Sequence, residues 1–249
     1  MIKILNKLKK HLSKRSVKNK IGSTLIELIA VVCILSIAST VSISGLFAMA
    51  DIAKRGQDLS LCERTSDMIS KQLSIYGNTA SDVESYATEP TMDISSFENT
   101  DNGLGSSNDY FIYADPSVNY RLYLAKFTVD VKDVNKTDPP IFSNPRLVNI
   151  VSIDNVKSIK FDLKKLHTDK DKYILQYTVT TVGSNIWDKD TDKRVEYTIS
   201  SGVVLNNTNS SNTIPDLSYQ TITTKTPLTN ANSTYIRIRT TSRSNLDIY

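Results

Sequence analysis

Histidine, cysteine and early proline are scarce in this 249-residue chain. Of two histidines, only His167 lies beyond the first 22 residues, in the polar turn "LHTDKD". One histidine with no cysteine nearby cannot make a zinc site, so a surface-loop histidine is expected. Cys33 and Cys62 fall in one helical stretch, about 43 Å apart by rise alone, too far to bridge within a chain. No proline precedes Pro90, so nothing of that kind breaks a helix before it. Acids are missing from the first 22 positions, and no Asp, Glu, Lys or Arg occurs between Leu28 and Ala50. The G-x-S-x-G, H-E-x-x-H, P-loop and dinucleotide patterns are absent as well. The chain is therefore read as non-enzymatic, with no resident cofactor.

What is present is unevenly placed. The first 22 residues hold seven lysines and Arg15, leaving 22 basic against 26 acidic side chains, a net of −4, in the remainder. A mildly acidic body gives no electrostatic case for nucleic acid. Basic residues before a first apolar span keep that side in the cytoplasm, which puts everything after Ala50 outside. The charge-free run of 23 residues is about 35 Å long as a helix, enough to cross a bilayer of ~30 Å. Ala48-Met49-Ala50 matches a signal-peptidase pattern, but the apolar core of such signals is usually ~7–15 residues. Glu27 immediately precedes this run, four residues inside what otherwise reads as the membrane-spanning stretch, where a carboxylate costs roughly 2.5–3.5 kcal/mol. Beyond the span, Ile52, Leu59, Cys62, Ile69, Leu73 and Tyr76 share one face of an amphipathic helix. Asp51 with Arg55 and Asp67 with Lys71 supply acid-before-base pairs at i,i+4. Gly77 in "YGN" is placed for a C-cap. The spacing predicts one continuous helix from about Thr24 to Tyr76.

"GSTLIELI" at Gly22–Ile29 resembles the class III signal of type IV pilins and pseudopilins: a basic leader ending in Gly, then Thr-Leu-Ile-Glu, then a long apolar helix. The resemblance covers about the first 50 residues. It implies cleavage between Gly22 and Ser23, an N-methylated amine on Ser23, and an assembly role for Glu27, whose carboxylate would neutralise the amine of a neighbouring subunit. Ser23 departs from the usual Phe. The implied partners are other pilin subunits, a prepilin peptidase, the cytoplasmic membrane and an assembly platform. The other reading of Glu27 is a side chain snorkelling to the interface. Ser36, Ser39, Thr40, Ser42, Ser44 and Gly45 crowd mid-span, where Ser and Thr can bond back to the carbonyl four residues earlier. They mark either a helix-loosening site in a filament or plain close packing of small residues.

After Gly77 the pattern turns to strands. Residues 78–109 read as a long polar connection. Tyr123, Ala125, Phe127, Val129 and Val131 form one strand face, and Ile159, Phe161 and Leu163 another. "YILQYTVTTV" (173–182) and "VEYTISSGVVL" (195–205) read as hairpin partners, and "STYIRIRT" (233–240) as a last strand. In the loop "DKDTDK", Asp188, Asp190 and Asp192 alternate as calcium ligands do, without an EF-hand's glycine or terminal Glu. A solvated hairpin tip is preferred there, with calcium the alternative. The expected fold is α+β: a leader (1–22), a transmembrane helix (23–50), an amphipathic helix (51–77), the connection, and an antiparallel sheet domain (110–249). The expected role is a minor pilin of a surface filament, anchored by one membrane pass before assembly. The alternatives are a pseudopilin of a secretion or DNA-uptake machine and a single-pass anchored adhesin.

Overall fold

The computed structural model describes residues 2–91, 94, 97–99, 103–115, 117–132, 140–165, 172–205, 220–225 and 234–240, with side chains from residue 24 onward. The chain forms two compact units, Met1–Arg55 and Gly56–Tyr249. Helix α1, Ile2–Thr79, accounts for the described part of the first and begins the second. The architecture is α+β, one long helix followed by antiparallel sheet.

In the first unit every described side chain from Thr24 is exposed, large apolar ones such as Ile26, Leu35, Val41 and Phe47 included. The helix is long and apolar enough to cross a membrane and buries none of its apolar window within the chain. A helix that is hydrophobic all round needs an apolar environment to cover it. The mid-span hydroxyls bond back as their spacing predicts: Ser36 to the Val32 carbonyl, Thr40 to Ser36, Ser42 to Ala38 and Ser44 to Thr40, at 2.8–2.9 Å. The helix nevertheless runs unbroken through Gly45.

The second unit begins with the one-sided part of α1 and continues in ten strands. These are β1 (Ala80–Tyr86), β2 (Glu98–Asn99), β3 (Leu104–Tyr113), β4 (Arg121–Lys132), β5 (Ile141–Asp154), β6 (Val156–Lys165), β7 (Tyr173–Val182), β8 (Glu196–Leu205), β9 (Gln220–Thr223) and β10 (Tyr235–Thr240). They form two sheets, ordered β1-β10-β3-β4-β5 with β2 beside β3, and β8-β7-β6-β9. The expected hairpin is β7 with β8, Tyr173 opposite Leu205 and Val182 opposite Glu196. The core takes Ile69, Leu73 and Tyr76 from α1, Ile112, Leu122 and Leu124 from the first sheet, and Ile159, Phe161 and Leu175 from the second. A pocket of about 20 Å³ between Leu73, Ile112 and Ile153 has room for about one water, and its apolar walls favour leaving it dry.

Three expectations need correction. The stretch 78–109 is not a plain connection, since it contains β1, β2 and the start of β3. β1 offers little period-two signal of its own, because its partner β10 arrives from the far end of the chain. Ile52 and Leu59 lie on the exposed side of α1; the buried stripe runs Asp58, Cys62, Thr65, Ser66, Ile69, Leu73, Tyr76. Gly77 is not a C-cap, because α1 continues to Thr79, whose hydroxyl donates to the Ile75 and Tyr76 carbonyls. Gly77 serves packing instead: a Cβ there would stand 2.7 Å from a Val203 methyl carbon.

The first sheet carries a second, smaller cluster on Phe97, Phe111, Phe127 and Val129. The register sets Tyr86, Tyr235, Tyr113 and Tyr123 in one row across four strands. Tyr113 stacks on Tyr123 and on Tyr235, with ring centroids 5.4 and 5.1 Å apart. Cross-strand aromatic pairs of this kind hold register.

Candidate functional site

Gly22 and Ser23 fall within α1, their side chains outside the described set, and Glu27 follows one helical turn later with its side chain exposed. The junction thus lies on helical backbone where the basic stretch meets the apolar one. His167 lies outside the described residues. Cys33 is exposed and Cys62 buried, and both are free thiols. Burial is the main cause that pushes the Cys62 thiol above its usual range, which keeps it protonated and inert.

The acidic loop is a structural joint. Asp188 accepts the Asp190 N–H at 3.1 Å and the Thr191 hydroxyl at 2.7 Å, and it pairs with Lys193 across the tip. The Asp192 carboxylate is turned to other work: it takes the Tyr120 hydroxyl at 2.7 Å, Lys225 Nζ at 2.8 Å and Arg194 Nε at 2.9 Å. Lys225, then Tyr120 and Arg194, hold that carboxyl well below the usual range. Both cations also approach the Tyr120 ring, the Arg194 guanidinium 4.8 Å and Lys225 Nζ 5.6 Å from its centroid. Its backbone links the sheets, the N–H donating to Thr224 and the carbonyl accepting from Val156. The structure does not gather Asp188, Asp190 and Asp192 into a ligand set, and among the described residues no group of three His, Cys, Asp or Glu could hold a metal ion. Asp192 is already paired with two cations, Lys225 and Arg194, and in this arrangement does not join Asp188 and Asp190 as a ligand.

Sequence reading missed Asp58. Its side chain is 1 % exposed, and one oxygen, Oδ1, accepts from the Ser184 N–H and hydroxyl (3.2 Å each) and from Asn185 Nδ2 (2.9 Å). The other, Oδ2, is buried with no hydrogen-bond partner among the described residues. Gly183 makes this approach possible, since a Cβ on it would lie 2.6 Å from Asp58 Cγ. One turn on, the Thr181 hydroxyl donates to the Cys62 carbonyl at 3.1 Å and lies 3.2 Å from the Ser66 hydroxyl. These contacts latch α1 to the end of β7 and the loop after it. The only sequence signal was spacing: 58, 62, 65, 69, 73, 76 keeps to steps of three and four.

A second missed group is ionic. Arg237, 8 % exposed, pairs with Asp82 at 2.7 Å and Glu84 at 2.8 Å, and Arg239 grips Asp109 through Nε at 2.7 Å and Nη2 at 3.0 Å. Burial, with a hydrogen bond to Glu84, pushes the Tyr86 phenol up to about 12. These groups bind β1, β10 and β3 together; none is arranged as nucleophile, base and orienting partner. The chain matches no protein-family model, no curated protein and no solved structure.

Proposed function

We propose that the chain is a minor pilin, a subunit of a type IV pilus-like filament, cut between Gly22 and Ser23 and drawn from the membrane into the filament by its apolar helix. The observation that carries this reading is a juxtaposition on α1: a basic stretch, the Gly22–Ser23 junction, Glu27, then a charge-free helical stretch of about 35 Å with every side chain exposed. In the filament, neighbouring helices cover those side chains. Glu27 then meets the new amine of Ser23 on the adjacent copy, a pairing that desolvation makes intolerable to lose and that selects one stacking register. The Gly45 region, with its back-bonded hydroxyls, is where the helix would yield on assembly. The sheet domain faces outward. A pseudopilin would be favoured by a metal-holding loop, and the joint at Asp192 gives it no such support.

Two measurements test the proposal. Intact mass of membrane material should show loss of Met1–Gly22; an uncut chain in assembled material, or one starting at Asp51, would sink it. Glu27→Ala should insert in the membrane at least as well as the natural chain but enter sheared filaments far less. Leaving the partner amine buried and unpaired costs about 3 kcal/mol, roughly a hundredfold in incorporation. Equal amounts of both in the sheared fraction would favour the snorkelling role for Glu27.

A further inference from the structure

Among the described residues, the sheets end at β1 and β5 on one side and at β8 and β9 on the other. An open edge invites pairing with another chain, and folded proteins guard it with short strands, charges, proline or bulges. Three of these edges are guarded. β1 carries Asp82, Glu84 and a bulge at Ala80–Asp82. β5 carries Pro145, which has no N–H, Asn144 at a φ of 52°, and two irregularities against β4. β9 has only four residues. β8 has none of these devices. Its ten residues pair with β7 in unbroken register, and from Tyr197 to Leu205 it holds no charge and no proline.

The backbone of β8 sets what can cover it. The Gly183 N–H donates to the Val195 carbonyl at 2.7 Å, so in the register that follows the odd-numbered residues of β8 bond to β7. The N–H and C=O groups of Thr198, Ser200, Gly202 and Val204 therefore point away from the sheet, at the spacing of a further strand. On the core face Tyr197 and Ile199 are half-buried, in one row with Val203 and Leu205 of the core. On the other face Thr198, Ser200, Gly202 and Val204 are exposed.

We propose that the β8 edge is a strand-addition site for an extended segment of a different polypeptide. That segment is uncharged, with apolar side chains toward the core alternating with small or β-branched ones outside. A second copy does not fit. β8 laid on β8 with core faces together runs antiparallel and turns the second copy's packed helix end for end, whereas copies held in one membrane by that helix point the same way. The other edges of a second copy carry their guards. The partner is a different polypeptide provided that the span enters a bilayer; cleavage after Gly22 is not needed.

The test uses the full chain in membranes of cells that make it. The photo-crosslinking residue benzoylphenylalanine replaces Thr198 at the edge or, in a second protein, Lys160 on the outer face of β6, and crosslinked peptides are sequenced. Position 198, and not 160, should capture an uncharged, alternating segment of another protein. Ser200→Pro removes one outward N–H and leaves the β7 ladder intact; it should lower the yield at 198 about tenfold, while Ser200→Ala leaves it unchanged. Thermal melts check that both keep the fold, and if the proline variant melts early, Ser200→Lys supplies the missing guard in its place. No crosslink at 198, a crosslink to this chain or a second copy, equal capture from 160, or a yield indifferent to both blocking variants would each overturn the proposal. Intact mass of the same material reports the Gly22–Ser23 cut separately, so failure at the edge is told apart from failure of the pilin reading.

Discussion

At Asp58 a carboxylate with 1 % exposure spends nearly all its hydrogen bonding through one oxygen. Removing it would orphan the donors of Ser184 and Asn185 in the space it vacates. Asp58→Ala should therefore cost about 2–4 kcal/mol. Asp58→Asn keeps the Oδ1 acceptor and should cost less. Gly183→Ala forces a methyl against Asp58 Cγ and should cost about 1–3 kcal/mol by overpacking. Denaturant unfolding of the detergent-solubilised chain would rank the three. If Asp58→Ala unfolds at the natural midpoint, the latch contributes nothing. No apolar periodicity flags Asp58, because an acid on a solvated-looking helix reads as surface; only its partners 126 and 127 residues away make it core.

Among the elements, β1 shows how far a strand can depend on distant partners. Val83 is its one large, fully buried apolar side chain; otherwise charge seats it, with Glu84 opposite Arg237 and Asp82 opposite Arg239. Asp109 on β3 closes the layer, its side chain 1 % exposed against 42 % for Arg239. Asp109→Ala should destabilise the sheet by about 2 kcal/mol, below the full cost of breaking a buried pair because Arg239 can rehydrate. Thermal melts of that variant and of a double variant with Arg239→Met would separate the pair from its burial; recovery of stability in the double variant is expected. The contrast with β7 and β8 is instructive. Those strands were legible because both alternate and face each other across one charged loop, and β10 because Ile236 and Ile238 alternate with Arg237 and Arg239; β1 carries one large buried apolar side chain and meets β10 only across most of the chain. The helix was legible to within a few residues at its C-terminal end, where Gly77 suggested a stop; Val203, which gives Gly77 its packing role, lies in β8.

On the scale of the molecule, Tyr120 and Asp192 tie the two sheets at a point whose contribution to stability should depend on pH. Asp192 has its folded-state carboxyl held below the ordinary range by Lys225, Tyr120 and Arg194. Its contribution to stability is thus present above the unfolded value of about 3.9 and is lost as pH falls toward the folded one. Asp192→Asn should melt lower than the natural chain at neutral pH, and the gap should close below about pH 4. A gap that persists unchanged into acid would show that the joint is held by packing alone. The acidic loop that the sequence suggested was a solvated tip, with calcium the alternative, thus acts as a fastener, and nothing local in "DKDTDK" discloses that Tyr120, Arg194 and Lys225 converge on it.

The latch on α1 also decides how the sheet domain would bear a pull along that helix. Asp58, Cys62, Ser66, Ile69, Leu73 and Tyr76 are spread over five turns, and each would have to slide past its partner at once before the helix could move by a single residue. Contacts loaded side by side in this way resist shear, whereas a strand peeled from a sheet edge surrenders its bonds one after another. Tension arriving along α1 should therefore meet a stiff, brittle attachment that fails in one step, with Asp58 nearest the load, and Asp58→Ala should lower that rupture force in a single-molecule pulling experiment while leaving the sheets' own unfolding force unchanged.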